Sequence, residues 1–222
     1  ARLLADVASK VLGQRVVVEN RTGANGMIAA EAIARSPADG HSVLFCTTGN
    51  MTIITELPGT KLSVDPATEL SAVGQLLRST FGLVVRQQSP WRTTRDVIDA
   101  ARANPGKITY ATPGVGSVQH LSSELLAQKT KTTMVHVPYR GSQAAMLDIT
   151  SGQTDFMLTN LGDVIPHIRQ GTLRLIALGD PLGRQFFPDA PMIADTVPGF
   201  ETYAWFGLCG PRNLPPAVVK GW

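Results

Sequence analysis

A serine and a histidine three positions apart, Ser117 and His120, directly follow a turn that contains Gly114 and Gly116. A hydroxyl beside an imidazole is the pairing that a nucleophile and its general base require. The spacing fits a simpler role better, because serine is a preferred cap at the start of a helix. The unpaired N–H groups of a helix's first turn form a site for a carboxylate or phosphate. A plain strand-to-helix connection stays open as an alternative, since two glycines alone are not a dinucleotide-binding fingerprint.

The remaining polar residues favour binding over catalysis. The four histidines do not stand at ligand spacing with one another or with cysteine, so we expect no metal site. The sequence has no G-x-S-x-G elbow and no P-loop, and we predict no catalytic residue and no cofactor. The loops that follow predicted strands carry hydroxyl, amide and glycine residues. Such loops hydrogen-bond an oxyanion well and perform acid–base chemistry poorly.

Composition indicates a folded globular chain and excludes some partners. Of the 222 residues, 43% are hydrophobic and 17% are charged, so the chain can bury a core of one or two domains. The net charge of +3 comes from scattered Lys and Arg residues, which argues against a nucleic-acid partner. No apolar stretch reaches the ~18 residues of a membrane span. Cys46 and Cys209 stand in apolar runs and are expected to be buried as small hydrophobic side chains.

Hydrophobic periodicity predicts alternating helices and strands. The chain opens with an amphipathic helix that carries Leu4, Val7 and Val11 on one face and ends at Gly13, and the β-branched run 15–19 reads as a strand buried on both faces. The other predicted strands are 42–47, 71–77, 81–85, 107–112, 134–138, 155–158, 173–178 and 203–209. This order indicates an α/β fold with mainly parallel sheets. Ligands of such sheets bind beyond the carboxyl ends of the strands, so the loops there are the candidate site.

Both ends of the sequence suggest a fragment of a longer chain. The first helix has no capping residue before Ala1, and a new helix begins near Pro216 shortly before Trp222.

Seven motifs in order along nearly the whole chain resemble the Bug, or TctC, family, the extracytoplasmic solute receptors of tripartite tricarboxylate transporters. The motifs are VVVENRTGANG at 16–26, NPGK at 104–107, GS with HL at 116–121, MVHVPYRG at 134–141, DFMLTNL at 155–161, PHI at 166–168 and WFGL at 205–208. The resemblance implies a periplasmic-binding-protein type II fold, with two α/β lobes and a central ligand cleft. Lobe one would comprise 1–80 and 204–222, and lobe two 81–203.

The same resemblance implies the partners and the compartment. We expect a periplasmic receptor, monomeric, that captures a small carboxylate and delivers it to a membrane permease of a tripartite transporter. Family members usually begin with a signal peptide, a first strand and a Pro-Gly-Gly-rich loop, and these would precede Ala1. C-terminal helices would follow Trp222.

Carried over position by position, the resemblance places ligand-binding residues in five loops. Main-chain N–H groups of Ala24 and Ser117 would bracket a carboxylate. Asn25 stands where glycine is common in the family, and Thr159 stands where an aspartate able to pair with an amine is frequent, which argues against an amino-acid ligand. The predicted residues are Gly23, Ala24, Asn25, Thr48, Asn50, Ser117, His120, Tyr139, Gly141, Thr159 and Asn160.

Two other functions remain open from the sequence. One is an α/β enzyme acting on a small acidic metabolite, in which replacing Ser117 or His120 would remove a rate rather than an affinity. The other is a sensory receptor of the same fold.

Overall fold

The computed structural model describes residues 1–21 and 23–222. Their contacts separate the chain into two units: unit 1 is Ala1–Leu76 with Gly207–Trp222, and unit 2 is Leu77–Phe206. The motif at 16–26 includes Thr22, which lies outside the described residues.

Unit 1 combines helices with one sheet region. Strand β1 (Leu44–Thr47) pairs with β7 (Tyr203–Pro211), and β7 pairs with β2 (Leu70–Arg86). β2 and β7 each continue from one unit into the other. A short 3-10 helix forms at Ala24–Gly26, and a short π-helix forms at Gly49–Ile53. The helices and strands of unit 1 are α1 (Arg2–Leu12), α2 (Met27–Ala34), β1 (Leu44–Thr47), α3 (Ile54–Glu56), α4 (Pro66–Glu69), the first part of β2 (Leu70–Arg86), the last part of β7 (Tyr203–Pro211) and α10 (Pro216–Gly221).

The structure confirms the predicted first helix, whereas the prediction of a strand at 15–19 is wrong. α1 ends at Gly13 in the left-handed conformation that glycine adopts without strain. Residues 15–19 are described but belong to no strand. A strand forms only when a neighbour bonds its backbone, and among the described residues β1 has β7 as its only strand neighbour. Of the three valines in this run, Val17 is 75% exposed, whereas Val16 and Val18 are half-buried.

Unit 2 repeats a strand-loop-helix order. A 3-10 turn lies at Pro181–Gln185. The remaining elements, in chain order, are α5 (Thr94–Ala103), β3 (Thr109–Thr112), α6 (Val118–Thr130), β4 (Val135–Pro138), α7 (Ser142–Ser151), β5 (Met157–Asn160), α8 (Leu161–Arg169), β6 (Leu173–Leu178) and α9 (Ile193–Thr196).

The sheets are mixed rather than mainly parallel, which corrects the sequence-based expectation. β3 and β4 pair in parallel, but β2 pairs antiparallel with both β5 and β6. The two strands expected in series at 71–77 and 81–85 are one continuous strand, β2, of 17 residues. An apolar run indicates that a strand is buried. It does not indicate whether the strand lies parallel or antiparallel to its neighbours, because those neighbours are distant in sequence. The α/β class itself is confirmed.

The core of unit 2 packs helices α7 and α8 against the strands. Phe81, Tyr110 and Phe156 are completely buried. One cluster joins residues of β2, β3, β5 and β6 with the helices: Val84, Ala111, Ala145, Met146, Ile149, Met157, Leu161, Val164, Leu173, Leu178 and Met192. This packing fixes the strand ends from which the candidate loops leave.

Both cysteines are buried free thiols in unit 1, as predicted. Cys46 lies on β1 and Cys209 on β7, which are neighbouring strands. The Cys209 thiol lies 3.9 Å from the sulfur of Met51.

Candidate ligand-binding site

The loop between β3 and α6 is held by its own hydrogen bonds. Gly114 has φ 147° and Gly116 has φ 77°, values that favour glycine. The hydroxyl of Ser117 donates to the carbonyl of Gly114 at 2.7 Å and accepts the main-chain N–H of His120 at 3.2 Å. Ser117 is therefore a helix cap, as the spacing favoured. Since its hydroxyl proton goes to a carbonyl, the serine is not arranged as a nucleophile with His120 as its base.

The main-chain donors at this helix differ from the predicted one. The N–H of Ser117, expected to bind a carboxylate, donates to the carbonyl of Gly114 at 3.3 Å. In the described part of the chain, the N–H groups of Val118 and Gln119 make no hydrogen bond with protein. They belong to the first turn, where the helix supplies no carbonyl acceptor. Sequence reasoning missed these two residues, although their position directly after a capping serine is a usable signal.

His120 lies in a column of three stacked rings. Its ring is 4.1 Å from that of His136, and the ring of His136 is 5.1 Å from that of Tyr110. The Tyr110 hydroxyl donates to the carboxylate of Glu124. Burial and the neighbouring His120 lower the pKa of His136 to about 4. Burial also lowers the pKa of His120, against an opposing effect of Glu124. Both rings are therefore neutral near pH 7, and His136 was not predicted.

The loop between β4 and α7 lies against the loop between β3 and α6. The N–H of Tyr139 donates to the carbonyl of Thr112 at 2.9 Å, and that of Gly141 donates to Pro113 at 3.2 Å. The structure thus brings together the Ser117 and Tyr139–Gly141 segments, because β3 and β4 are parallel neighbours. The Tyr139 hydroxyl donates to Asp148 at 2.6 Å. Burial, together with the neighbouring Asp148, raises the pKa of Tyr139 to about 12.

The end of β5 contributes the last predicted pair of unit 2. Phe156, directly before β5, forms a parallel bridge with Tyr110 of β3, so the carboxyl end of β5 faces the same edge. Thr159 is completely buried, and its hydroxyl has no partner among the described residues. The amide oxygen of Asn160 accepts the hydroxyl of Ser79 at 2.9 Å. Asn160 is thus the half-buried member of the pair.

In unit 1, the two predicted loops pack against each other. A Cβ added to Gly26 would lie 2.9 Å from the amide nitrogen of Asn50, and one added to Gly49 would lie 3.0 Å from that of Asn25. Thr48 lies in the second loop and is half-buried. The backbone of the first loop has positive φ at four successive residues: Gly23, Ala24, Asn25 and Gly26.

Two asparagines build this unit 1 surface. Asn25 has φ 53°, a left-handed value that asparagine tolerates better than most residues. The side-chain oxygen of Asn50 accepts the N–H of Thr47 at 2.8 Å and its hydroxyl at 3.1 Å. A groove of about 1060 Å³ within unit 1 is lined by α1, the 15–21 segment, β1 and α10, and both asparagines reach its wall.

The predicted site residues of both units are uncharged and carry hydrogen-bonding groups. Backbone N–H groups, hydroxyls, amides and neutral imidazole predominate, which suits the recognition of an anion. The described residues gather no cluster of three or more His, Cys, Asp or Glu side chains that could hold a metal. In the same residues, no helix is both long and apolar enough to cross a membrane.

A family model described as the tripartite tricarboxylate transporter family receptor, TctC, matches residues 1–221. The chain belongs to this family. The description is that of a receptor rather than of an enzyme, and the resemblance read from the seven motifs is confirmed.

Relatives of the TctC chain come from several bacteria. A protein of Pseudomonas sp. strain P51 is 33% identical over 99% of this chain and 66% of its own length. A protein of Cupriavidus necator is 34% identical over 99% of this chain and 66% of its own length. Protein BugT of Bordetella pertussis is 30% identical over 99% and 68%. The chain thus spans about two thirds of the length of the curated relatives it matches.

Solved structures share the fold. Rpa4515 of R. palustris with adipate superposes with a TM-score of 0.94 at 33% identity, covering 99% of this chain and 73% of that one. MatC (Rpa3494) of Rhodopseudomonas palustris with bound malate superposes with a TM-score of 0.91 at 29% identity, covering 100% of this chain and 75% of that one. The periplasmic binding protein BugD gives 0.87 at 28% identity, covering 99% and 73%. The fold is therefore that of the periplasmic binding proteins of this family.

Proposed function

We propose that this TctC protein is a periplasmic receptor that binds a small carboxylate and delivers it to the membrane permease of a tripartite transporter. The observation that carries the proposal is the amino terminus of α6, where the N–H groups of Val118 and Gln119 have no acceptor among the described residues. A helix amino terminus favours an anion through these donors and its partial positive charge. Relatives of the same fold that hold adipate and malate support a dicarboxylate as the first ligand to test.

The residues around this helix terminus would complete the binding surface of unit 2. His120 lies on the first turn, Gly141 and Tyr139 lie on the adjoining loop, and Asn160 follows β5 at the same edge. We propose that the paired loops of unit 1, with Ala24, Asn25, Thr48 and Asn50, also bind ligand. The protein would work as a monomer, after removal of a signal peptide.

A thermal-shift screen tests the ligand class. The panel comprises adipate, malate, tricarboxylates, aromatic acids and amino acids. Binding to the native state alone raises the free energy of unfolding by RT ln(1 + [L]/Kd), about 2.7 kcal/mol at 100 Kd. We expect a rise with carboxylates and none with amino acids. A rise with amino acids alone would contradict the ligand class, and turnover of a bound acid would contradict the receptor role.

Val118→Pro tests the helix terminus itself. Proline is well tolerated at the first helical position, and the extended Ser117 before it (ψ 158°) is compatible with it. The substitution removes one N–H donor and keeps the helix. Because a hydrogen bond to a charged group contributes about 1.5–3 kcal/mol, we expect carboxylate affinity to fall about tenfold or more. Thr94→Pro makes the same change at the first position of α5 and should leave affinity unchanged.

A further inference from the structure

The stacked pair of His120 and His136 is bonded to the candidate loop at two points. The Gly116 N–H donates to Nδ1 of His120 at 3.3 Å. The Thr112 hydroxyl lies 2.6 Å from Nε2 of His136 and accepts the N–H of Gly114 at 3.2 Å. His120 is thus hydrogen-bonded directly to the backbone that leads into α6, and His136 is connected to it through the Thr112 hydroxyl.

The first of these bonds exists only while His120 is neutral. An imidazolium carries a proton on each nitrogen and can only donate, so a protonated Nδ1 cannot accept the Gly116 N–H. Protonation must therefore change the hydrogen bonding of this loop. It would also place a positive charge on the first turn of α6, beside the donors of Val118 and Gln119.

Few charged groups face the pair. Glu124 stands one turn after His120 on α6, and Tyr110 on β3 stacks on His136 and donates to Glu124. With ring centroids 4.1 Å apart, both imidazoles cannot carry a charge together without strong repulsion. The pair therefore carries at most one positive charge across the ordinary pH range. The added proton goes to His120, which stands one turn from Glu124 on α6, since the pKa of His136 is the one lowered to about 4.

We propose that the His120–His136 pair couples the loop before α6 to proton uptake, so that a carboxylate binds together with one proton held by His120. The part of this proposal that concerns carboxylate binding rests on the proposed function. An anion at the helix terminus stabilises the imidazolium and so raises the pKa of His120 from its lowered value. By linkage, the affinity for a ligand whose carboxylates stay ionised rises as the pH falls toward the pKa of His120.

An NMR titration of the ligand-free protein tests the coupling without any ligand. We expect the Gly116 amide resonance to shift between pH 8 and pH 5 with the same midpoint as the ring of His120. His120→Asn should abolish that transition, and His41→Asn, an exposed histidine of unit 1, should leave it intact. A Gly116 amide that does not follow His120 in the native protein overturns the coupling, even if the His120 variant fails to fold.

Calorimetry with adipate tests the linked proton. Titrations at pH 6.5 in two buffers of different ionisation enthalpy, neither a carboxylate nor a phosphate, give the number of protons taken up. We expect an uptake of up to one proton per adipate in the native protein and close to none in His120→Asn. Binding without proton uptake in the native protein overturns the proposal. If no carboxylate of the panel binds at any pH, the proposed function fails and the regulation of binding fails with it, while the NMR titration still decides the coupling.

Discussion

Tyr139 and Asp148 are joined by a hydrogen bond of 2.6 Å that ties the loop after β4 to the middle of α7. The bond holds in place the segment whose N–H groups reach Thr112 and Pro113. A side chain of the candidate surface is thereby fixed by a residue outside it.

Tyr139→Phe removes this bond and keeps the ring. We expect the free energy of unfolding to fall by about 1 kcal/mol at pH 8, measured by denaturant titration. Tyr203→Phe is the matched control, because its ring stays beneath the guanidinium of Arg78 at 3.5 Å, and it should change little. Equal losses in both variants would contradict a role for the bond to Asp148.

The same bond predicts a pH dependence. The folded pKa of Tyr139 is raised to about 12, above its ordinary value of 10. The bond's contribution is therefore complete below pH 10 and is lost as the pH rises toward 12, because only the unfolded tyrosine ionises in that window. The stability of the native protein should fall toward that of Tyr139→Phe as the pH rises from about 10 toward 12. A constant difference across this range would show that the pKa is not raised.

Ser117→Ala removes the cap of α6 and the hydroxyl bond to Gly114. We expect a loss of about 1 kcal/mol in unfolding free energy and weaker carboxylate binding, because the loop before the helix loosens. Thr93→Ala removes the cap of α5, where Thr93 and Asp96 form a capping box. It should cost a similar stability without changing affinity. Weakened binding in Thr93→Ala would indicate that affinity follows stability rather than the loop.

Asn25 tests the left-handed backbone of the unit 1 loop. At φ 53° an alanine is strained and a glycine is not, so Asn25→Ala should be less stable than Asn25→Gly by about 1 kcal/mol. At Asn104, with φ −131°, the same two changes should not favour glycine. Thermal unfolding of the four variants shows, at each position, whether the alanine or the glycine variant is more stable. The same order at both positions would contradict the left-handed conformation of Asn25.

Gly207→Ala tests the close approach of β7 to β2 in unit 1. Its Cβ would lie 2.7 Å from the carbonyl oxygen of Gly74, a backbone atom that cannot rotate away. We expect a loss of about 1–3 kcal/mol from overpacking. Gly74→Ala places its Cβ in open space and should cost much less. Denaturant unfolding compares the two, and an equal effect would show that backbone crowding is not the cause.

The sequence by itself determined the features that depend on neighbours within a few residues. Ser117 caps α6 because its hydroxyl reaches an N–H three residues on, and Gly13 ends α1 because its φ of 65° needs no distant partner. Burial of Cys46 and Cys209 also followed from their apolar runs. Family membership followed from motifs spread along the chain, since their order does not depend on any contact.

Only the tertiary structure decided what distant partners impose. The run 15–19 has the composition of a buried strand, yet it forms none, because strand formation needs a bonded neighbour that no local pattern reveals. The column of Tyr110, His136 and His120 draws on β3, β4 and α6, and it exists because parallel pairing sets Tyr110 beside His136. The environment of His120, and hence its lowered pKa, therefore comes from strand register, which side-chain chemistry along the chain does not fix.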